Sequence, residues 1–257
     1  MILRRLSAEL RTQNWTTIAI ELAIVIVGVF VGNQVSNWNE ARLQKEQTAR
    51  TLEQLRPELN GEIDYFASIR RYYQLTRHYA DVALAGWSGD PRISDAQFVI
   101  AAYQASQIYG VGINGQSWTL VFGGDQLRNI DDPVLRRHLG DVMTQDYTQV
   151  GLAVMQTRYR DDVRLVIPNS IQTQIREHCG DRLVRDAADE DIYVLPVDCA
   201  LRLHAAEAAA AAKALRAHPM LAGELALHLG TANAYLQNVD IIEAGIEALK
   251  HDLDKRP

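Results

Sequence analysis

Between Trp15 and Trp38 the chain reads WTTIAIELAIVIVGVFVGNQVSNW, and from Ile18 to Gly32 this apolar run is broken once, by Glu21. A segment that is apolar on every face cannot lie on the surface of a water-soluble domain; it needs a protein interior or a lipid interior around it. As a helix, with a rise of about 1.5 Å per residue, Trp15 to Trp38 spans roughly 35 Å, enough for the ~30 Å hydrocarbon layer and its edges. Tryptophans stand at both ends, where interfacial aromatics belong. The reading is a transmembrane helix over residues 15–38, with Trp15 and Trp38 as its interfacial anchors. A cleaved signal peptide would want a small-x-small exit, which Asn33-Gln34-Val35-Ser36-Asn37 supplies poorly. A buried core helix is the other alternative.

Three features inside the run stand out. Glu21, Gly28 and Gly32 share one helical face, because seven residues return a helix to within about 20° of its start. Small residues on that face let two helices approach closely, and an acid can hydrogen-bond across the pair. The expectation is a parallel homodimer through the membrane helix; the alternative is a snorkelling acid beside an ordinary glycine pair. The basic residues do not settle orientation, since Arg4, Arg5 and Arg11 precede the run while Arg42, Lys45 and Arg50 follow it. Residues 1–14 read as a short segment in which Ile2, Leu3, Leu6 and Leu10 fall on one face of an interfacial helix.

The remainder is globular in composition, the whole chain being 47% apolar and 23% charged. Up to Asn37 three arginines oppose two glutamates, which leaves −7 for the rest of a chain whose net charge is −6. An acidic domain is a poor partner for phosphate backbones, so nucleic-acid binding is not expected. Residues 39–87 read as a stalk and entry helix of coiled-coil type. Leu52, Leu55, Leu59, Ile63, Phe66 and Ile69 recur at three- and four-residue steps, and Pro57 is expected to kink or split the helix.

Residues 88–257 read as an all-α domain, an irregular helical bundle. Its expected helices run from Asp95 to Tyr109, from Ser117 to Phe122, from an Asp131 or Asp132 cap with Pro133 to about Val163, from an Asp198 cap to Ala217, and from Thr231 to Asp254. Ile171 to Cys199 looks the least regular, with a short strand at Tyr193. Cys179 and Cys199, the two cysteines of the chain, are expected to pair in an oxidising compartment, closing a loop worth roughly 3 kcal/mol. Two separate thiols are the alternative.

No P-loop, G-x-S-x-G, G-x-G-x-x-G or zinc-helix motif occurs, so no catalytic, cofactor or metal residues are assigned. Glu177-His178-Cys179 is the densest reactive triplet, and a disulfide would silence it. Four tyrosines, Tyr65, Tyr72, Tyr73 and Tyr79, lie along one helix and are expected in a core or lining a pocket.

Ile20-Glu21-Leu22 and the apolar residues after it resemble the start of type IV pilin-like proteins, but Thr16 stands where their processing site has glycine. A broader resemblance rests on Gln13-Asn14-Trp15-Thr16, the acid, Gly28-Val29-Phe30-Val31-Gly32-Asn33-Gln34 and Asn37-Trp38-Asn39-Glu40-Ala41-Arg42. With the looser stretch Gly124, Leu127, Ile130, Leu135 and Leu139, this pattern is similar to a family of bacterial anchored proteins, domain of unknown function 6090. The resemblance implies a membrane tether and supplies no catalytic residues. The expected function is a non-enzymatic interaction module of the bacterial envelope, N-terminus inside and helical domain in the periplasm of the inner membrane, with the bilayer and an envelope protein as partners. The alternatives are a ligand-sensing bundle signalling through a partner, since fourteen residues before the anchor are too few for an output domain, and a membrane-anchored hydrolase using scattered His and Asp.

Overall fold

The computed structural model describes residues 15–110, 126–185 and 191–255. Seven α-helices occur among them: α1 (Trp15–Trp87), α2 (Asp95–Gln104), α3 (Pro133–Thr144), α4 (Arg158–Val166), α5 (Asn169–Cys179), α6 (Ala205–Ala217) and α7 (Leu221–Asp254). A two-stranded antiparallel hairpin, β1 (Arg182–Arg185) and β2 (Asp191–Val194), sits between α5 and α6. The fold is all-α: one long N-terminal helix followed by a helical bundle.

The frame is a pair of heptad seams. On α1 the residues Leu52, Leu55, Leu59, Phe66, Ile69, Tyr73, Thr76, Ala80 and Ala83 are all buried. On α7 the buried residues are Leu221, Leu225, His228, Ala232, Tyr235, Val239, Ile242, Ile246, Leu249 and Leu253, in steps of four and three by turns. A 3.5-residue repeat keeps one stripe facing a neighbouring helix over many turns. The two seams meet antiparallel. Arg56 donates to the Leu253 carbonyl at 2.7 Å, Arg70 pairs with Asp240 and Glu243, and the Tyr73 and Tyr235 rings lie 5.2 Å apart. Advancing along α1 therefore retreats along α7.

Pro57 does not split α1, which runs unbroken through it. The ring removes one N–H from the ladder, but Leu55 and Leu59 on either side are buried against the bundle and hold the flanking turns in place. Burial also moves the domain edge. The stalk is exposed from residue 39 to 47, whereas Leu52 onward belongs to the core. What reads as an entry helix is the central helix of the domain.

Several boundaries differ from the sequence reading. α2 begins as expected, with a Ser94–Gln97 capping box. It ends at Gln104, not Tyr109, where the Ser106 hydroxyl donates back to the Tyr103 carbonyl at 2.7 Å. Asp132 caps α3 ahead of Pro133, yet α3 stops at Thr144 and two 3-10 turns, Tyr147–Val150 and Leu152–Met155, intervene before α4. Asp146 initiates the first of these by accepting from the Thr148 N–H at 2.9 Å. The stretch read as irregular contains α5 and the hairpin. α6 starts at Ala205, well after Asp198. α7 starts ten residues before Thr231, because Leu221, Leu225 and His228 continue the seam past Gly223 and Gly230. The expected helix from Ser117 to Phe122 and the segment 1–14 lie outside the described residues.

Candidate functional site

The first region that departs from an ordinary bundle is the start of α1. Its apolar window reaches a mean hydropathy of 2.1 with none of it buried. Ile24, Val27 and Phe30 are all about two-thirds exposed, and Trp38 is 70% exposed. The helix is long and apolar enough to cross a membrane. Glu21, Gly28 and Gly32 are exposed on it, and a Cβ added at either glycine meets nothing within 4 Å. Ala23 and Gly28 leave a shallow apolar groove bounded by Ile20, Ile24, Val27 and Val31. Ala23 was not singled out in the sequence, although it is the small residue that opens the upper half of that groove. The side chain of Trp15 lies outside the described residues.

The second region is the hairpin. Cys179, buried at the end of α5, and Cys199, beyond β2, form a disulfide with Cα atoms 5.3 Å apart. Gln104 of α2 hydrogen-bonds the Cys179 carbonyl. The bridge therefore brackets both strands and pins their base to the core. β1 and β2 pair Arg182 with Val194, Leu183 with Tyr193, Val184 with Ile192, and Arg185 with Asp191. Tyrosines tie this segment down: the Tyr193 N–H of β2 donates to the hydroxyl of Tyr109, beyond α2, at 3.3 Å, and Tyr79 of α1 donates to the Pro196 carbonyl, just past β2, at 2.8 Å. β1 is exposed along its whole length. Leu183, Val184, Tyr193, Val194 and Val197 all remain exposed, a concentration of apolar surface on a short segment.

The third region lies behind the hairpin, where tyrosines and arginines interleave. Tyr72 donates to Asp181 at 3.3 Å, Tyr73 to the Tyr109 carbonyl at 2.7 Å, and Tyr159 to the Ala102 carbonyl at 2.7 Å. Burial pushes all three phenols far above their ordinary range, so they act as neutral donors. These tyrosines are core; Tyr73 also lines a groove of about 230 Å³ beside His228 and Leu236. From α4, Arg160 donates to the Ser106 carbonyl at 2.6 Å. Arg164 donates to the Tyr103 hydroxyl at 3.3 Å and to Gln107 Oε1 at 2.9 Å. From α5, Arg176 donates to the same Tyr103 hydroxyl at 3.3 Å and to Thr173 Oγ1 at 3.1 Å. The Arg164 guanidinium also lies 4.7 Å above the Tyr103 ring. Burial, and then the neighbouring charge of Arg164, hold Arg160 below its usual range. Sequence reading missed this cluster; the i, i+4 spacing of Arg160 and Arg164 was its one local trace, and Arg176 joins only through the fold.

The histidines are not gathered. His138 meets Asp252 at 2.6 Å, His178 meets the Gln174 carbonyl, and His228 is buried in the α7 seam with its Nδ1 2.7 Å from Thr157 Oγ1. Desolvation, assisted by Arg160, lowers the His228 pKa to about 4, so the ring is neutral at physiological pH. Among the described residues no group of three His, Cys, Asp or Glu side chains is placed to hold a metal ion. Of the Leu120 to Leu139 stretch, Ile130, Leu135 and Leu139 are core side chains and Leu127 packs against them, while Gly124 lies outside the described residues. No family model, curated protein or solved structure matches the chain.

Proposed function

We propose that this protein is a membrane-tethered interaction module. In this reading one helix, residues 15–38, crosses the inner membrane with the N-terminus inside, and the helical domain stands in the periplasm and docks an extended segment of another envelope protein. The observation that carries the reading is the outer side of β1. Its four residues are exposed, no strand flanks that side among the described residues, and exposed Leu183, Val184 and Val194 surround it. An open strand edge beside apolar side chains is the geometry to which a partner strand adds, backbone bonds giving affinity and side-chain pockets giving register. The disulfide at the base of the hairpin holds that edge in one place and suits an oxidising compartment.

The bilayer is the other partner, and a second copy is expected through Glu21, Gly28 and Gly32. The resemblance to domain of unknown function 6090 belongs to the same reading, since it rests on the anchor and its flanks.

Three experiments test it. A reporter active only outside the cytoplasm, fused after Pro257, should be active in cells whose Cys179 and Cys199 thiols resist alkylation. An inactive reporter with free thiols would place the domain in the cytoplasm and remove the envelope assignment. A photo-crosslinking residue at Leu183 should then yield an adduct with a second protein that is absent when the same residue sits at Glu207 on α6. Adducts with copies of this chain alone would replace docking by self-assembly. For the membrane face, Gly28→Ile with Gly32→Ile should weaken self-association in a membrane assay, and unchanged association rejects the homodimer.

A further inference from the structure

Arg164 and Arg176 both donate to one phenol, that of Tyr103, and Arg160, one turn before Arg164 on α4, donates to the nearby Ser106 carbonyl. Like charges gathered in a half-buried place repel one another and lose hydration, so the arrangement is unfavourable unless something negative accompanies it. Other arginines of this chain show the ordinary solution: Arg70 holds Asp240 and Glu243, and Arg216 holds Asp95. Among the described residues no carboxylate lies within ion-pair distance of Arg160, Arg164 or Arg176; Asp161 acts on Arg160 only through its field, and the five hydrogen bonds of the three guanidiniums go to neutral oxygens. Most of their N–H donors therefore have no protein acceptor, and the Arg164 Nε is buried without one.

The cluster is also fixed in place. Tyr103 is fully buried, and its oxygen accepts from Arg164 and Arg176 together, locking guanidiniums from α4 and α5 side by side. Gln107 grips Arg164 from a second direction, and the Ser106 carbonyl grips Arg160. Arg176 is exposed, so the site is open to solvent on the α5 side. Rigid, convergent guanidinium donors with no carboxylate in contact suit a group with several negative oxygens, since planar forks bind phosphate-type oxygens in bidentate fashion.

We propose that Arg160, Arg164 and Arg176, held by the Ser106 carbonyl, Gln107 and Tyr103, form a binding site for a phosphate-class oxyanion carried by a soluble ligand. The source follows from the helix. Tyr72, which the charge of Arg160 reaches, lies thirty-four residues beyond Trp38. That separation is about 50 Å along a helix rising 1.5 Å per residue. On the proposed reading, in which residues 15–38 cross the membrane, headgroups of that bilayer are out of reach, so the ligand comes from the surrounding solution. The inference does not depend on the hairpin docking a partner.

Inorganic phosphate is the probe. Thermal unfolding of the full chain in neutral detergent micelles, titrated with phosphate against chloride at matched ionic strength, should show a saturable rise in Tm with phosphate only. Arg164→Gln with Arg176→Gln should weaken the apparent affinity at least tenfold, while Arg216→Gln should leave it unchanged. An equal response in wild type and the double variant, or a rise that follows ionic strength whatever the anion, overturns the proposal. Should the double variant fail to fold, exposed Arg176→Gln alone carries the test: about tenfold weaker binding is expected, and an unchanged titration rejects the site. The same titration in vesicles of neutral and of anionic lipid distinguishes the source. Equal responses support a soluble ligand, and a response abolished by anionic lipid reassigns the site to headgroups. The Leu183 crosslink should survive these arginine substitutions, so failure of either reading is visible separately.

Discussion

Residues 18–38 and residues 52–87 belong to one uninterrupted helix, and both are rich in apolar side chains, yet they are built for different surroundings. In the first part apolar residues cover every face and none is buried. In the second a 3.5-residue stripe is buried against α2 and α7, Tyr72 and Tyr79 are buried beside it toward the hairpin, and charged residues such as Arg70, Arg77 and Asp81 lie outside the stripe. The contrast shows how angular distribution, more than apolar content, tells which solvent a helix expects. An all-round apolar surface needs an apolar medium, whereas a stripe needs one partner.

That comparison is open to attack from both ends. The largest effect is expected from Phe66→Ala, which empties a fully buried position in the seam. It should cost about 3–5 kcal/mol in unfolding and leave the membrane-bound fraction as it was. Unchanged melting would mean the stripe is not the core. Val27→Arg is the converse. An arginine near the middle of the run should cost about 3 kcal/mol of insertion, lowering the fraction retained by membranes after alkaline extraction, with the melting of the domain unaltered. Were Val27→Arg to destabilise the domain instead, the two halves would not be independent.

A third test uses the polar residue in the partner seam. His228 has its pKa lowered from 6.5 to about 4 in the folded state by burial. Its neighbours are Thr157 and Tyr159, with the charge of Arg160 close by. Between those two pH values the unfolded chain takes up a proton that the folded chain refuses, so stability is full above pH 6.5 and falls as pH drops toward 4. The loss is on the order of 2–3 kcal/mol. Chemical denaturation over that window should show the decline in wild type, and His228→Leu should flatten it. An identical slope in the variant would assign the decline to other groups.

The smallest effect is a glycine comparison. A Cβ at Gly86 runs into the Phe98 ring, whereas one at Gly28 meets nothing. Gly86→Ala should lower stability by about 1–3 kcal/mol through overpacking, and Gly28→Ala should leave the melting of the domain in place. Equal effects would erase the distinction between the two halves.

Much of this was legible in the residues themselves. The stripe Leu52, Leu55, Leu59, Phe66 and Ile69 is local, because a helical period appears as fixed spacing along the chain. The Asp132 cap acts over three residues and leaves its mark in as few. What went unseen depended on distance. Pro57 reads as a breaker until its flanking leucines are known to be clamped, and Gly223 and Gly230 disguise the first ten residues of α7. The arginine cluster needs residues 103, 107, 160, 164 and 176 together, and no window of sequence contains them.

The sequence alone determined that a fully apolar helix precedes an acidic, helical remainder, because composition and period are properties of neighbouring residues. Only the tertiary structure decided that the second half of that helix is the centre of the domain. The same holds for the polar histidine in the seam, the hairpin that leaves an apolar edge uncovered among the described residues, and the two guanidiniums that share one phenol beside a third. Each is a contact between residues far apart in the chain, set by which surfaces the packed helices bring together.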